Sequence, residues 1–253
     1  MLVDERRHLI AEIVIAEGAA TVPALSKRFG VSQVTIRSDL EALERQGTLT
    51  RNRGGAVANR IARFIPAFQK SSSVNLDAKQ AIAERAASLA QDDDWILLDA
   101  GSTTLLLAEE FFTRRLTVAA NSIYAINKLV ESVDITLLSL GGTLYKPVLS
   151  YVGSLAEAAL DQLHFDRLFL GVNGFTDRGP WLNNPSELGI KRAMIRQSRQ
   201  VVALADSSKL GIESSVLIAP LKDIDVLITD RNAPENRLRK LRRGHPKLEV
   251  LRA

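Results

Sequence analysis

Residues 21–56 read TVPALSKRFGVSQVTIRSDLEALERQGTLTRNRGGA. Thr21 is a side-chain acceptor placed to cap a short helix in which Leu25 and Phe29 share the inward face, and Gly30 stands where that helix must turn. Ser32 caps a third helix running to Gly47, with Val34, Leu40 and Leu43 available to a core. Two extended pieces at 49–51 and 55–58 flank Asn52-Arg53-Gly54, which reads as a hairpin turn or wing. Upstream, Leu9, Ile10, Ile13 and Val14 mark one face of a helix over about residues 4–17, ended by Gly18. Helix, turn, capped helix and wing together make a winged helix-turn-helix unit over residues 1–58.

The chemistry of that unit points to double-stranded DNA. Ser32, Gln33, Thr35 and Arg37 fall at the start of the third helix, the part of a recognition helix that meets base edges. Gln pairs with adenine, Arg with guanine, and short hydroxyls serve bases or phosphates. Arg28, Arg51 and Arg53 are placed for phosphates, where they add affinity rather than sequence preference. A plain three-helix bundle with a polar surface accounts for any one of these residues, but not for the linked pattern with its wing.

Composition agrees. The 253 residues are 46% hydrophobic and 25% charged, ordinary for a globular chain, and hold no cysteine, which excludes disulfides and thiolate metal sites. Residues 1–63 carry ten Lys/Arg against seven Asp/Glu, so much of the formal net charge of +4 lies in the first quarter. The N-terminus lacks the continuous apolar run of a signal peptide, and stretches such as WILL (95–98) and VVALA (201–205) are too short to span a bilayer. A cytoplasmic protein without a membrane partner is expected. The basic run RLRKLRR (237–243) reads as the solvated face of a last helix.

Residues 59–76 lack periodicity and read as a linker. Beyond them a helix at about 77–90 leads into WILLD (95–99), and then strands alternate with helices: LTVAAN, ITLLSLGG, RLFLGVNG, QVVALAD, DVLITD and KLEVL. This alternation predicts a mostly parallel α/β sheet over residues 77–253. Asp99-Ala100-Gly101-Ser102-Thr103-Thr104 follows a strand and opens a helix, which suits an anion and serves equally as a capping arrangement. Asn121-Ser122, Gly141-Gly142, Asn173-Gly174 and Asp206-Ser207-Ser208-Lys209 fall beyond strand ends, where such sheets collect ligands. Glu187 and Lys191, four apart, share a helix face as a surface ion pair or as part of that cleft.

Through VSQVTIRSDLEALERQGTLTRNRGGA the chain resembles the DeoR family of bacterial sugar-metabolism regulators, which more often has Arg at the position of Ser38 and His at that of Arg53. The resemblance places Ser38 on the DNA side as well. It continues through DAGSTT, the Asn-Ser pair, LGG, FDRLFLGVNG, ADSSKLG and DVLITD, similar to the DeoR-type effector domain, which has the fold of ribose-5-phosphate isomerase. It implies that Gly101, Ser102, Thr103 and Thr104 cradle a phosphate, and that Asn121, Asn173, Glu187, Lys191, Asp206 and Lys209 line the sugar side. Residues 163–187 are most similar to regulators of amino-sugar and related pathways, with Trp181 and Asn184 as selectivity candidates and Trp95 assigned to the core. The expectation is a repressor of a carbohydrate-catabolism operon, a homodimer or homotetramer, controlled by a sugar phosphate, with no cofactor, no metal and no catalytic residue. The alternative is a sugar-phosphate isomerase or hydrolase with an accessory head. Against it, no G-x-S-x-G appears, and His8, His164 and His245 lie outside the expected cleft.

Overall fold

A computed structural model describes residues 3–45, 49–58 and 74–253. Contacts divide the chain into two units, Met1–Lys70 and Ser71–Ala253. The expected end of the third helix at Gly47, and residues 59–73 of the expected linker, lie outside the described residues.

In the first unit, α1 (Val3–Glu17) is followed by β1 (Ala19–Thr21), α2 (Val22–Phe29), α3 (Gln33–Arg45), β2 (Leu49–Asn52) and β3 (Gly55–Ala58). Thr21 Oγ1 accepts the Ala24 amide at 3.3 Å, and Gly30 closes α2 at φ 65°, a left-handed conformation that glycine adopts without strain. Ile10, Val14, Leu25, Ile36, Leu40, Leu43 and Leu49 form the core of this unit, with Phe29 half-buried against it. Two expected core residues face outward: Leu9 is exposed, and Val34 is 72% exposed on the first turn of α3. The strand β1 was not anticipated. It pairs antiparallel with β3, so the wing is the outer hairpin of a three-stranded sheet.

The second unit opens with α4 (Leu76–Ala87), β4 (Trp95–Leu98), α5 (Ser102–Phe111), β5 (Leu116–Ala120), α6 (Ile123–Leu129) and β6 (Ile135–Ser139). A hairpin β7 (Thr143–Tyr145)/β8 (Ser150–Val152), α7 (Ser154–Leu160) and β9 (Phe165–Gly171) come next. They lead to β10 (Gly174–Thr176), β11 (Gly179–Leu182), a 3-10 turn at Pro185–Glu187, α8 (Leu188–Arg196) and β12 (Ser198–Leu204). The chain finishes with a 3-10 turn at Ser207–Lys209, β13 (Val216–Leu217), β14 (Val226–Thr229), α9 (Glu235–Gly244) and β15 (Glu249–Arg252).

Seven strands form one parallel sheet in the order β15-β14-β12-β9-β4-β5-β6. Period-2 alternation splits its residues between two faces. Leu97, Ala119, Leu168, Leu170, Val201 and Ala203 pack with α7, α8 and α9. Ile96, Leu98, Val118, Ala120, Phe169, Val202 and Leu204 pack with α4, α5 and α6. The result is a three-layer α/β/α unit. Trp95, assigned to the core from sequence, is 39% exposed because it opens β4 at the sheet's amino edge. The sequence reading also missed two small antiparallel sheets, β7-β8 and β10-β11-β13, whose strands of two to four residues carry too few positions to show a period.

The strand order reverses between β4 and β9. From β4 the chain builds outward through β5 and β6; from β9 it builds the other way through β12, β14 and β15. A crevice at the carboxyl ends of the strands opens at such a switch point.

Candidate functional site

In the first unit, Ser32 and Thr35 are engaged with each other. Ser32 Oγ accepts the Thr35 amide at 3.1 Å and shares a hydrogen bond with Thr35 Oγ1 at 2.9 Å, so both hydroxyls fasten the start of α3. Gln33, Arg37 and Ser38 are exposed along the same helix, and Arg37 donates to Gln33 Oε1 at 3.4 Å. Arg28 pairs with Glu17 at 3.1 Å, and the Arg51 amide donates to Glu44 Oε1 at 2.8 Å. Arg53 is exposed at the wing turn, where Gly54 has φ 103°. Arg28, Gln33, Arg37 and Arg53 line one open groove of about 690 Å³ between the helices and the wing. Among the described residues, this groove gathers most of the cations that the sequence assigned to DNA.

Asp39, on the opposite face of α3, was not singled out from sequence. It is 1% exposed; Arg6 Nε donates to its Oδ2 at 2.7 Å and Arg7 Nε to its Oδ1 at 3.0 Å. Both oxygens are satisfied, so the pairing anchors α3 to α1 and fixes the helix that faces the groove. An acidic residue on the apolar side of an amphipathic helix, with two adjacent arginines on α1, was the available signal.

In the second unit, Asp99, Asn121, Gly141, Gly142, Asn173, Asp206 and Lys209 follow the carboxyl ends of the adjacent strands β4, β5, β6, β9 and β12. Leu98 is level with Ala120 and with Phe169, which puts Asp99 and Asn121 side by side at the switch point. Asp99 is wholly buried. Its Oδ2 accepts Lys191 Nζ and the Gly171 amide, the latter at 2.9 Å, while Lys191 also donates to the Gly171 carbonyl at 3.0 Å. Among the described residues its Oδ1 is buried without a hydrogen-bond partner, as is Asn121 Oδ1. Buried polar atoms in folded proteins are normally satisfied, so two unsatisfied acceptors at neighbouring strand ends are exceptions that need a physical reason.

Of the two readings of Glu187 and Lys191, the mutual ion pair does not form; Lys191 pairs with Asp99 instead. Glu187 ends the 3-10 turn at Pro185–Glu187 rather than lying inside α8, so the four-residue spacing does not bring the two charges into contact. Burial pushes the Glu187 carboxyl above its usual range, with Asp99 adding to the effect and Lys191 opposing it. Asp206 is buried and caps the 3-10 turn at Ser207–Lys209. Its Oδ2 lies 3.8 Å from Lys209 Nζ. Burial lowers the Lys209 ammonium's pKa; Lys79 and Lys191 add to this and Asp206 opposes it. Lys79, on α4, is, with Lys191, one of two buried lysines among the described residues of this unit; sequence reading missed it, though a Lys three residues before Ile82 on an apolar helix face was a visible anomaly.

The phosphate-cradle candidates Ser102, Thr103 and Thr104 are buried on the first turn of α5. Thr104 Oγ1 donates to the Gly101 carbonyl at 3.0 Å, a local capping bond, while Ser102 and Thr103 hydroxyls make no hydrogen bond among the described residues. Five other candidates have structural work. Ser122 caps α6. Gly142 has φ 111°, and a Cβ there would lie 2.9 Å from that of Ala156. Asn173 is exposed and accepts the Asn183 amide at 3.1 Å. Trp181 is packed inside the β10-β11-β13 sheet, its indole N–H on Thr176 Oγ1 at 2.9 Å. Asn184 caps the turn before Glu187 and also donates to the Tyr145 hydroxyl, a partner from the distant β7 hairpin that no spacing rule reveals.

No helix of the described residues is long and apolar enough to cross a membrane, and among them no group of three His, Cys, Asp or Glu residues is placed to hold a metal. The family model described as a DeoR-like helix-turn-helix domain matches residues 6–62, and that of the DeoR C terminal sensor domain matches residues 74–231. An uncharacterized HTH-type transcriptional regulator, YulB, of Bacillus subtilis is 38% identical over 91% of this chain and 90% of its own length. A putative aga operon transcriptional repressor of Escherichia coli O157:H7 is 34% identical over 95% of this chain and 91% of its own. Among solved structures, ribose 5-phosphate isomerase A of Methanocaldococcus jannaschii is a partial likeness, 21% identical over 53% of this chain and 54% of that one, with a TM-score of 0.40. On the family models and the near full-length relatives, the chain belongs to the DeoR family of helix-turn-helix transcription regulators, and it is a DNA-binding regulator rather than an enzyme.

Proposed function

We propose that this regulator reads operator DNA with the exposed start of α3 and the wing, and that a phosphorylated sugar at the carboxyl edge of the parallel sheet sets its affinity for DNA. Gln33, Arg37 and Ser38 face bases, with Ser32 and Thr35 holding the helix start. Arg28, Arg51 and Arg53 meet phosphates. In the second unit, the backbone and hydroxyls at Gly101, Ser102 and Thr103 take the phosphate, with Thr104 closing the turn. Asp99, Asn121, Lys191, Glu187, Asp206 and Lys209 take the sugar, and Ser122, Gly141, Gly142, Asn173 and Asn184 shape the rim. The regulated genes serve carbohydrate catabolism, the sugar phosphate releases a repressor, and a cytoplasmic homodimer or homotetramer presents paired heads to DNA.

The observation that carries the reading is Asp99 at the switch point. A buried carboxylate held on one side by Lys191 and Gly171, and bare on the other, is a hydroxyl acceptor beside a cationic cluster. The test is a titration of promoter DNA from upstream of the protein's own gene, with and without a panel of sugar phosphates. Arg37→Ala is expected to weaken operator binding by about 1–3 kcal/mol while hardly changing affinity for unrelated duplex. Ser102→Ala with Thr103→Ala is expected to abolish the sugar-phosphate response and spare operator binding. Unchanged sequence preference in the first variant, or an unchanged response in the second, removes that part of the proposal.

A further inference from the structure

The sensor unit begins at a residue with an unusual backbone. Asn75, which opens α4, has φ 55° and ψ 40°, the left-handed region, where Asn is one of the few non-glycine residues tolerated. It stands at the capping position, yet its side chain makes no capping bond. Instead Asn75 Nδ2 donates to Asp206 Oδ1 at 3.1 Å and to Ser208 Oγ at 3.2 Å, across 131 and 133 residues of chain. One turn further on, Lys79 Nζ turns back and donates to the Val74 carbonyl at 2.6 Å. The two residues by which the chain enters the sensor are thus tied to Asp206, Ser208 and Lys79, and Asp206 and Lys209 are site candidates already described.

The ties hold groups an anion competes for. Asp206 Oδ1 accepts Asn75, the Ser208 amide and the Ser208 hydroxyl, while its Oδ2 faces Lys209 at 3.8 Å. Lys79, Lys191 and Lys209 are close enough to act electrostatically on this cluster, with Lys209 penalised by both other lysines. An anion arriving among three ammonium groups relieves that repulsion and draws the ammonium groups toward itself and away from the Val74 carbonyl and Asp206. We propose that Asn75 and Lys79 form a clasp through which occupancy of the effector site is passed to the segment leading to the DNA-reading unit. With the site empty, the clasp holds Val74 and Asn75 in place; with an anion bound, Lys79 leaves Val74 and the Asn75–Asp206 bond loosens. Asn75 is a positioning residue here, and the inference rests on the effector-site reading given above. Coupling of this kind requires that the ligand bind the clasped and unclasped states unequally, and measured couplings are typically about 5–150-fold.

The test uses the full chain with Asn75→Gly, which keeps the left-handed backbone and removes the side chain. Asn75→Asp is the second variant; it puts a carboxylate against Asp206. Operator affinity is measured on the promoter duplex, anion affinity by calorimetry with inorganic phosphate and ribose 5-phosphate, and hydrogen exchange at residues 74–79. Both variants are expected to bind the operator at least fivefold more weakly without any anion, to bind the anion as tightly as wild type or tighter, and to exchange faster over 74–79. Wild type is expected to reach the same fast exchange once the anion is bound. Variants with wild-type operator affinity and a wild-type anion response overturn the clasp, as does a wild type that binds an anion with no change at 74–79. A wild type that binds neither anion, with Lys209→Ala leaving the operator titration unaltered, overturns the effector-site reading instead.

Discussion

Two buried aspartates divide the labour of this molecule. Asp39, in the DNA-reading unit, has both oxygens on arginines of α1. Asp99, in the sensor unit, is buried to the same degree, but only its Oδ2 is engaged, by Lys191 and the Gly171 amide, and its Oδ1 meets no donor among the described residues. Removing a carboxylate from water is expensive in either place, and the protein offsets it fully in one and by half in the other. A fully satisfied buried charge fixes architecture: it sets where α3 stands. Under the proposed function, a half-satisfied one keeps its remaining valence for the ligand. Burial alone would have classed the two residues together; the count of partners separates them.

The largest effect expected from this contrast is Asp39→Asn, which leaves Arg6 and Arg7 without their carboxylate. The DNA-reading unit should lose about 3–5 kcal/mol. Chemical denaturation followed by a probe in each unit would show the first transition moving and the second staying. A loss shared equally by both units would mean that Asp39 is not a local anchor.

Asp99→Asn should cost the sensor unit a comparable amount, about 3–5 kcal/mol, because it leaves the buried Lys191 ammonium without its carboxylate. It should also abolish the sugar-phosphate response in the operator titration. If the response survives, Asp99 is only an anchor and the contrast collapses.

Glu187 sharpens the contrast from the other side, as a half-buried carboxyl with no ion pair among the described residues. Its folded pKa is raised, so the folded state holds the proton more tightly than the unfolded chain does. The stabilising contribution is complete below the unfolded value of about 4.3 and is lost as pH rises through the folded value. Glu187→Gln should therefore leave the melting temperature unchanged at pH 4 and raise it by a few degrees at pH 8. Scanning calorimetry at the two pH values checks the sign; a drop at pH 8 would mean that Lys191 stabilises the charged form more than burial opposes it.

The smallest effect concerns Val34, which amphipathic spacing assigned to the core and which stands 72% exposed. Val34→Ser should change stability by no more than about 0.5 kcal/mol. A loss above 2 kcal/mol in urea unfolding would return it to the core.

The head was legible because its signals are local. Thr21 and Gly30 bound one helix through bonds that reach three residues or fewer, and the N-cap at Ser32 works the same way, so a reader of the chain sees both partners at once. The parallel sheet was legible because alternating apolar runs and helical stretches have few other solutions. Leu9 and Val34 were misplaced because a helical face is about 100° wide and periodicity does not say where its edge falls. The ion pairs were hidden for a different reason. Lys191 sits four residues from Glu187 in sequence, yet the 3-10 turn breaks the helical phase between them, and Lys191 meets Asp99 from 92 residues away.

By itself, then, the amino-acid sequence determined the order of the main helices and parallel strands, the DNA-reading head, the parallel sheet and the set of polar residues at its strand ends, since each depends on propensity, period and caps over a few residues. Tertiary structure alone decided which of those polar groups meet. It set Lys191 on Asp99, Asn75 on Asp206 and Tyr145 under Asn184, and it left Asp99 Oδ1 without a partner. Those pairings follow from the strand order β12-β9-β4-β5-β6, which brings distant residues to one edge. No local term in the free energy encodes that order; it is chosen by which faces the whole chain can bury at once.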